Sequence, residues 1–244
     1  MTTVGESTTA NGKGHNIFTR LPLVVTSPGA AYAEIAARPA ALGALGALAV
    51  VIGVIVICQV LFLTTAVGQQ VMIDQQVQGM EAFGVTVTDQ MYDQLRSKAG
   101  NMWVTTAVSQ IVSIPIVAAL VAGLLLGIFN AVSDSSSTFK HVYAVVAHAG
   151  IVLALQQVVL TPISYLMGEF ANVTRLSVFF PMLDSDSLPS HLLSGIEMFT
   201  IWWLLNLSIG VAVLYRRPTR SVAGTLLGIY AGIVVVIALL RAAF

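Results

Sequence analysis

The residues of this chain that could do chemistry are polar side chains set within apolar runs. Gln59, Gln110, His148, Gln156, Gln157, Glu197 and Asn206 each stand among Val, Leu, Ile, Ala and Phe. Hydrocarbon penalises an unpaired polar group, so each must find a partner or face water, which makes each a candidate for a site. Glu197, at the start of an apolar run, can cap a helix, take a donor such as Gln110, or carry a proton or cation. At about 1.5 Å of rise per residue, Gln156 and Gln157 reach the depth of Asn206, so an amide cluster is geometrically open to them. Gln59, Gln110 and Glu197 reach a second, shallower level. Such amides serve either as interhelical adhesive, about 0.6 kcal/mol per bond, or as a substrate site. His148 is a candidate pH-sensitive group, although a lone histidine is more often packed and hydrogen-bonded.

Other chemistry finds no support. His15, His141 and His191 are scattered, so no metal spacing emerges. The single cysteine, Cys58, excludes an intrachain disulfide and any multi-cysteine metal site. No paired carboxylates and no nucleophile beside a base appear. The expectation is no catalytic residue, no metal, no cofactor and no enzyme activity. Of 244 residues, 57% are apolar and 9% charged, far below the roughly 25% charged of soluble domains. Formal net charge is zero, so nothing global recruits nucleic acid.

The elements that must position these side chains are membrane spans. Ile196 to Tyr215 and Ser221 to Leu240 flank Arg216, Arg217, Pro218, Thr219 and Arg220, which reads as a helical hairpin with a tight reversal. Arg216, Arg217 and Arg220 place that turn in the cytoplasm. The predicted class is all-α: a polytopic integral membrane protein with five transmembrane helices and a short N-terminal interfacial helix. The spans are expected at about 40–67, 102–132, 141–167, 192–215 and 221–241, within a membrane domain covering 40–244. An outer helical loop fills 68–101, as one helix continuing the first span to about Ala82, a break at Phe83 and Gly84, and a second helix starting near Thr88, which can cap it. Pro115 predicts a kink in the second span. Residues 1–16 read as a disordered cytoplasmic tail that does not resemble a secretory signal. In the interfacial segment 17–39, Ser27 and Pro28 start a helix reaching about Ala37. Its Tyr32, Glu34 and Ile35 suit it to lie along the cytoplasmic lipid surface. Lys13, Arg20, Arg38, Lys140 and the arginine turn then fall inside, against Arg96, Lys98, Arg175 and Arg241 outside. The N-terminus is cytoplasmic and the C-terminus outside. Gly224, Gly228 and Gly232, spaced by four, open a flat face on the fifth span for another helix.

Three stretches carry a family resemblance. Pro28 to Pro39 is similar to a proline, aromatic, small-helix, proline opening. Phe139 to Ala147 resembles a segment entering a third span, and Glu197, Phe199 and Trp202 resemble an acidic, Phe, x, Ile/Val, Trp run opening a fourth. Over roughly residues 20 to 240 the chain resembles the Yip-one domain family, Ypt- and Rab-interacting proteins with many bacterial relatives. The long acidic N-terminal region of many eukaryotic members is absent, which argues against a Rab-type GTPase as partner. The Ala, Val, Gly and Leu bias looks more like the bacterial branch and implies a bacterial inner membrane, or an endomembrane in a eukaryote.

The resemblance implies a non-enzymatic membrane protein that binds membrane partners or organises membranes and trafficking. Its expected partners are the lipid bilayer and other membrane proteins or a second copy. A transporter or channel for a small molecule, ion or lipid, using Glu197 and the mid-membrane amides, is the alternative. The orientation is directly testable. In a Cys58→Ser background, Thr219→Cys is expected to resist a membrane-impermeant maleimide in intact cells and Ser177→Cys to label; the reverse pattern would invert the chain.

Overall fold

The computed structural model describes residues 17–37, 41–133, 136–170, 172–184 and 187–243. The tail 1–16, with Lys13 and His15, lies outside them, as do Arg38, Pro39, Asp134 and Asp186. Eleven helices follow in order among the described residues: α1 Ile17–Thr26, α2 Pro28–Ala37, α3 Ala41–Leu63, α4 Ala66–Ala82, α5 Asp89–Lys98, α6 Met102–Val132, α7 Phe139–Ala149, α8 Ile151–Met167, α9 Leu188–Ser194, α10 Met198–Tyr215 and α11 Thr219–Ala243. Five stretches are long and apolar enough to cross a membrane: Leu42–Leu63, Asp89–Val132, Phe139–Met167, Met198–Tyr215 and Thr219–Ala242. The protein is an all-α, multi-pass integral membrane protein.

The third span, α7 with α8, is the hub: it packs against α3, α6, α10 and α2, while α11 lies outside against α10 and α9. In the third and fourth spans 44% of the apolar window is buried, against 17% and 22% in the second and fifth. Helix α6 continues past Pro115 and α8 past Pro162, each without the one ladder bond that proline cannot donate, and the third span is interrupted at Gly150. A Cβ on Gly150 would sit 3.3 Å from the Ala147 carbonyl and 3.4 Å from Val51. Val51 of α3 therefore packs directly on this interruption.

The N-terminal helices are folded into the bundle. Val24 and Tyr32 are fully buried, and Ala31 and Ile35 nearly so, so the apolar residues of α2 face α10 and α7 rather than lipid. The cause begins with Pro28, at the first position of α2. In a continuous helix the Val24 carbonyl would accept from the N–H of residue 28, and proline has none. Asn206 of α10 replaces that donor: its Nδ2 donates to the Val24 carbonyl at 2.7 Å, and its Oδ1 accepts from the Tyr32 hydroxyl at 2.5 Å. Gly210, one turn along α10, makes room for the ring, since a Cβ there would lie 3.0 Å from Tyr32 and 2.4 Å from Val145. Burial pushes the Tyr32 phenol far above its ordinary range, so it stays a neutral donor. Arg20 holds α1 to α2 through Glu34 Oε1, at 3.1 Å from Nε and 2.9 Å from Nη2.

The short loops at the same end are tied together. Asn130 Oδ1 accepts from the Ser137 N–H at 3.0 Å and from the Tyr215 hydroxyl at 2.8 Å. The Arg217 guanidinium donates to the Val132 carbonyl. Arg216 ends α10 in the left-handed region, φ 53°. The arginine turn and the α6–α7 connection therefore share one end of the bundle, with α1 and α2.

The buried Tyr32–Asn206–Val24 bonds should dominate the stability of this end. Asn206→Leu is expected to cost about 2–4 kcal/mol by leaving a hydroxyl and a carbonyl unpaired, and Tyr32→Phe about 1–2 kcal/mol. Denaturation in detergent measures both. A cost for Asn206→Leu no larger than that of an exposed substitution would show that water reaches these groups.

Candidate functional site

At the opposite end, the chain turns sharply between α3 and α4. Thr65 caps α4 by accepting from the Gly68 N–H at 3.0 Å. A Cβ on Gly68 would fall 2.1 Å from the Phe62 carbonyl, so only glycine fits this corner. The expectation that this outer helix simply continues the first span is therefore corrected: α4 starts afresh and leans across the bundle end. Val71 and Ile73 anchor it, while Asp74, Gln75 and Gln78 remain exposed. The break at Phe83 and Gly84 is present, with Gly84 at φ 76°, and Thr88 caps α5. Gln70 of α4 bridges Asp74 at 2.7 Å and the Tyr92 hydroxyl of α5 at 2.9 Å.

Two cavities lie under this cover. The inner one, about 270 Å³, is lined by Gln59, Gln75, Thr106, Gln110, Gln157, Thr161 and Ser164 beside apolar Phe62, Met72, Leu160 and Phe170. Here Gln110 Nε2 donates to Gln59 Oε1 at 3.4 Å, a long bond joining α6 to α3. The outer one, about 790 Å³, takes Asp74, Gln75 and Gln78 from α4, Gln156 from α8, Glu169, Asn172, Thr174 and Arg175 from the following loop, Glu197, and Arg241 from the last turn of α11. Gln75, Leu160 and Phe170 line both. From Gly168 down to Gln156 the outer cavity follows α8 for about 18 Å.

Glu197 is the N-cap of α10. Its Oε1 accepts from the Phe199 N–H at 3.0 Å, and its Oε2 from the Thr200 N–H at 2.6 Å and the Thr200 hydroxyl at 2.8 Å. Gln110 instead meets Gln59. Around Glu197 the backbone is strapped down: Leu176 N–H donates to the Ile196 carbonyl at 2.9 Å, and Met198 N–H to the Thr174 carbonyl at 3.0 Å. Tyr230 of α11 donates to the Gly195 carbonyl at 2.6 Å. A carboxylate held by helix N–H groups is stabilised by the macrodipole and takes part in structure.

The other candidates separate. Gln156 and Gln157 are consecutive, about 100° apart on α8, so they enter different cavities, and Asn206 is held by Tyr32 and Val24. No mid-depth cluster of these amides forms. His148 is 1% exposed, with Nδ1 2.7 Å from the Ala144 carbonyl and, among the described residues, no partner for Nε2. Phe199 and Trp202 stack obliquely with ring centroids 5.8 Å apart. Gly224, Gly228 and Gly232 have nothing within 4 Å of an added Cβ. Sequence reading did not single out Asp74, Glu169, Arg175 or Arg241 as site residues. Each looks like an ordinary loop or terminal charge, and only the folding of α4 and the outer loop over the bundle gathers them. The crevice has polar groups of both charge signs, which suits binding of a polar or dipolar ligand.

The role of Glu197 as a cap has a measurable signature. Glu197→Ala should cost about 1 kcal/mol and Glu197→Asp much less, because Asp caps well. Equal losses by thermal denaturation would mean that something other than the cap is removed.

Comparison with known proteins adds the family. A family model described as the Yip1 domain matches residues 23–241. No curated protein and no solved structure matches the chain. The match starts within α1 and ends at Arg241, so it takes in the docked Tyr32, the Asn206 face and the outer crevice alike: the chain belongs to the Yip1 domain family.

Proposed function

We propose that this protein works by binding, as a non-enzymatic scaffold that docks other membrane helices and so organises membrane components. The carrying observation is the face of Gly224, Gly228 and Gly232. Glycines that serve packing within the chain are filled: a Cβ on Gly195 would meet Val234 at 2.6 Å, and one on Gly210 would meet Val145 at 2.4 Å. The α11 glycines meet nothing within 4 Å and are exposed. Ile229, Ile233, Val236 and Leu240 of the same helix are also exposed. Small residues spaced by four let a second backbone approach closely, and in lipid such close packing is a main source of helix association. The occupant is another membrane protein or a second copy. In this reading the N-terminus and the arginine turn are cytoplasmic, the C-terminus lies outside, and the membrane is the bacterial inner membrane.

The transport reading draws on the two polar cavities. They occupy the end of the bundle away from α1 and α2, where Val24, Tyr32, Phe129, Val142 and Val145 form a closed core. Glu197 is engaged by its own helix. A flux in reconstituted vesicles that disappears in Gln110→Leu would favour transport over docking.

The docking reading predicts a separation of folding from assembly. Gly228→Leu should not destabilise the isolated chain, since the site is open and leucine is the better helix former by roughly 0.5–1 kcal/mol, while removing a co-purifying membrane partner or reducing the oligomer in mild detergent. Unchanged size and unchanged partners in the variant would count against it.

A further inference from the structure

We infer that the outer crevice is a binding site for a phospholipid with an amine-bearing headgroup, and this stands independently of the α11 face. At about 790 Å³ the cavity lies within the range of small-molecule sites. Its charges are placed at one end of the bundle, where the apolar runs of α8 and α11 stop, the depth at which headgroups sit. Arg175 and Arg241 both line it, and among the described residues neither guanidinium is ion-paired or hydrogen-bonded through its side chain. Two such groups suit a phosphodiester, which arginine binds with paired N–H donors. Glu169 is likewise without a side-chain partner among the described residues, and Asp74 accepts only from Gln70. Both acids line the same crevice, and their charge suits an ammonium group. The headgroup therefore carries both signs, as the lining does.

What separates a lipid from a soluble phosphodiester is the continuation of the crevice. The outer cavity shares Gln75, Leu160 and Phe170 with the amide-lined inner one. That in turn shares Phe62 and Thr161 with an apolar groove of about 440 Å³ between α3 and α8, lined also by Cys58, Leu61, Val158 and Leu166. Through these shared residues, polar crevice, amide neck and apolar groove adjoin side by side along α8, in the order of headgroup, glycerol esters and acyl chain. The amides of Gln59, Gln110 and Gln157 are donors suited to ester carbonyls.

The test uses the full chain, stripped of lipid in detergent and mixed with diacyl phosphatidylethanolamine, with phosphatidylglycerol, or with water-soluble glycerophosphoethanolamine. Native mass spectrometry counts the lipid retained, and the thermal midpoint without lipid checks the fold. One phosphatidylethanolamine per chain is expected, with about tenfold weaker retention in the Arg175→Gln/Arg241→Gln variant, the loss of charge-assisted bonds to the phosphate. Asp74→Asn/Glu169→Gln should abolish the preference over phosphatidylglycerol, which has no amine. Should the double arginine variant lose its fold, Arg241→Gln alone, in the exposed last turn of α11, serves in its place. Equal retention by wild type and arginine variant, or no preference between the two lipids, overturns the inference. Full competition by glycerophosphoethanolamine at equal concentration also overturns it, in favour of a soluble phosphodiester.

Discussion

One buried exchange of hydrogen bonds holds the N-terminal helices in this bundle. Pro28 deprives the Val24 carbonyl of its helical donor, and Asn206 supplies another from the middle of a membrane span. The same amide takes the Tyr32 hydroxyl, and Gly210 gives the Tyr32 ring its space. A proline, an amide, a phenol and a glycine thus form one fitted contact, in which each polar group meets the need of another. Had α2 lain on the lipid surface, Asn206 would have had to find partners elsewhere in the bundle, because hydrocarbon offers none. Docking α1 and α2 closes the end of the bundle around the hub α7, and the dry core there follows from it.

The opposite end is built the other way. The corner at Gly68 and the strap between Thr174 and Met198 fold α4 and the outer loop over the ends of α8, α10 and α11, but leave polar space beneath. Glu197 illustrates how position decides role. An acid in a span suggests a proton or cation path, yet three hydrogen bonds from its own helix start make it a cap. Arg175, Arg241, Glu169 and Asp74 line the crevice beside it. One end of the bundle is therefore lined by polar groups and the other is packed with apolar side chains.

Glycine is used in two senses along this chain. Gly68, Gly195 and Gly210 stand where any side chain would collide with a neighbour already in place, and their value is spent inside the fold. Gly224, Gly228 and Gly232 touch nothing, on the helix that lies outermost against α10. One face of α11 is thus part of the core, through Val222, Leu226, Val234 and Ala238, and the other carries the open glycines, where a second backbone could approach closely.

By itself the sequence determined the class of the protein: run length and hydropathy are local properties, and with so few charges only a multi-pass helical membrane protein follows. The family-like motifs at Pro28, Phe139 and Glu197 were legible for the same reason, being short and contiguous. Local too were Thr88 and Gly84, which act on neighbouring residues. The split of Gln156 and Gln157 was written in the helical period but needed the cavities to give it meaning. Tertiary structure alone decided which partner each buried polar group takes, since Asn206 and Val24 are 182 residues apart. It alone decided which glycines are filled: the spacing of Gly224, Gly228 and Gly232 marks a face without saying whether this chain covers it, and only the packing shows that Gly210 is filled and Gly228 is open. The reason is common to both: a hydrogen bond or a close contact is a property of two positions, and the sequence states each position without stating what meets it.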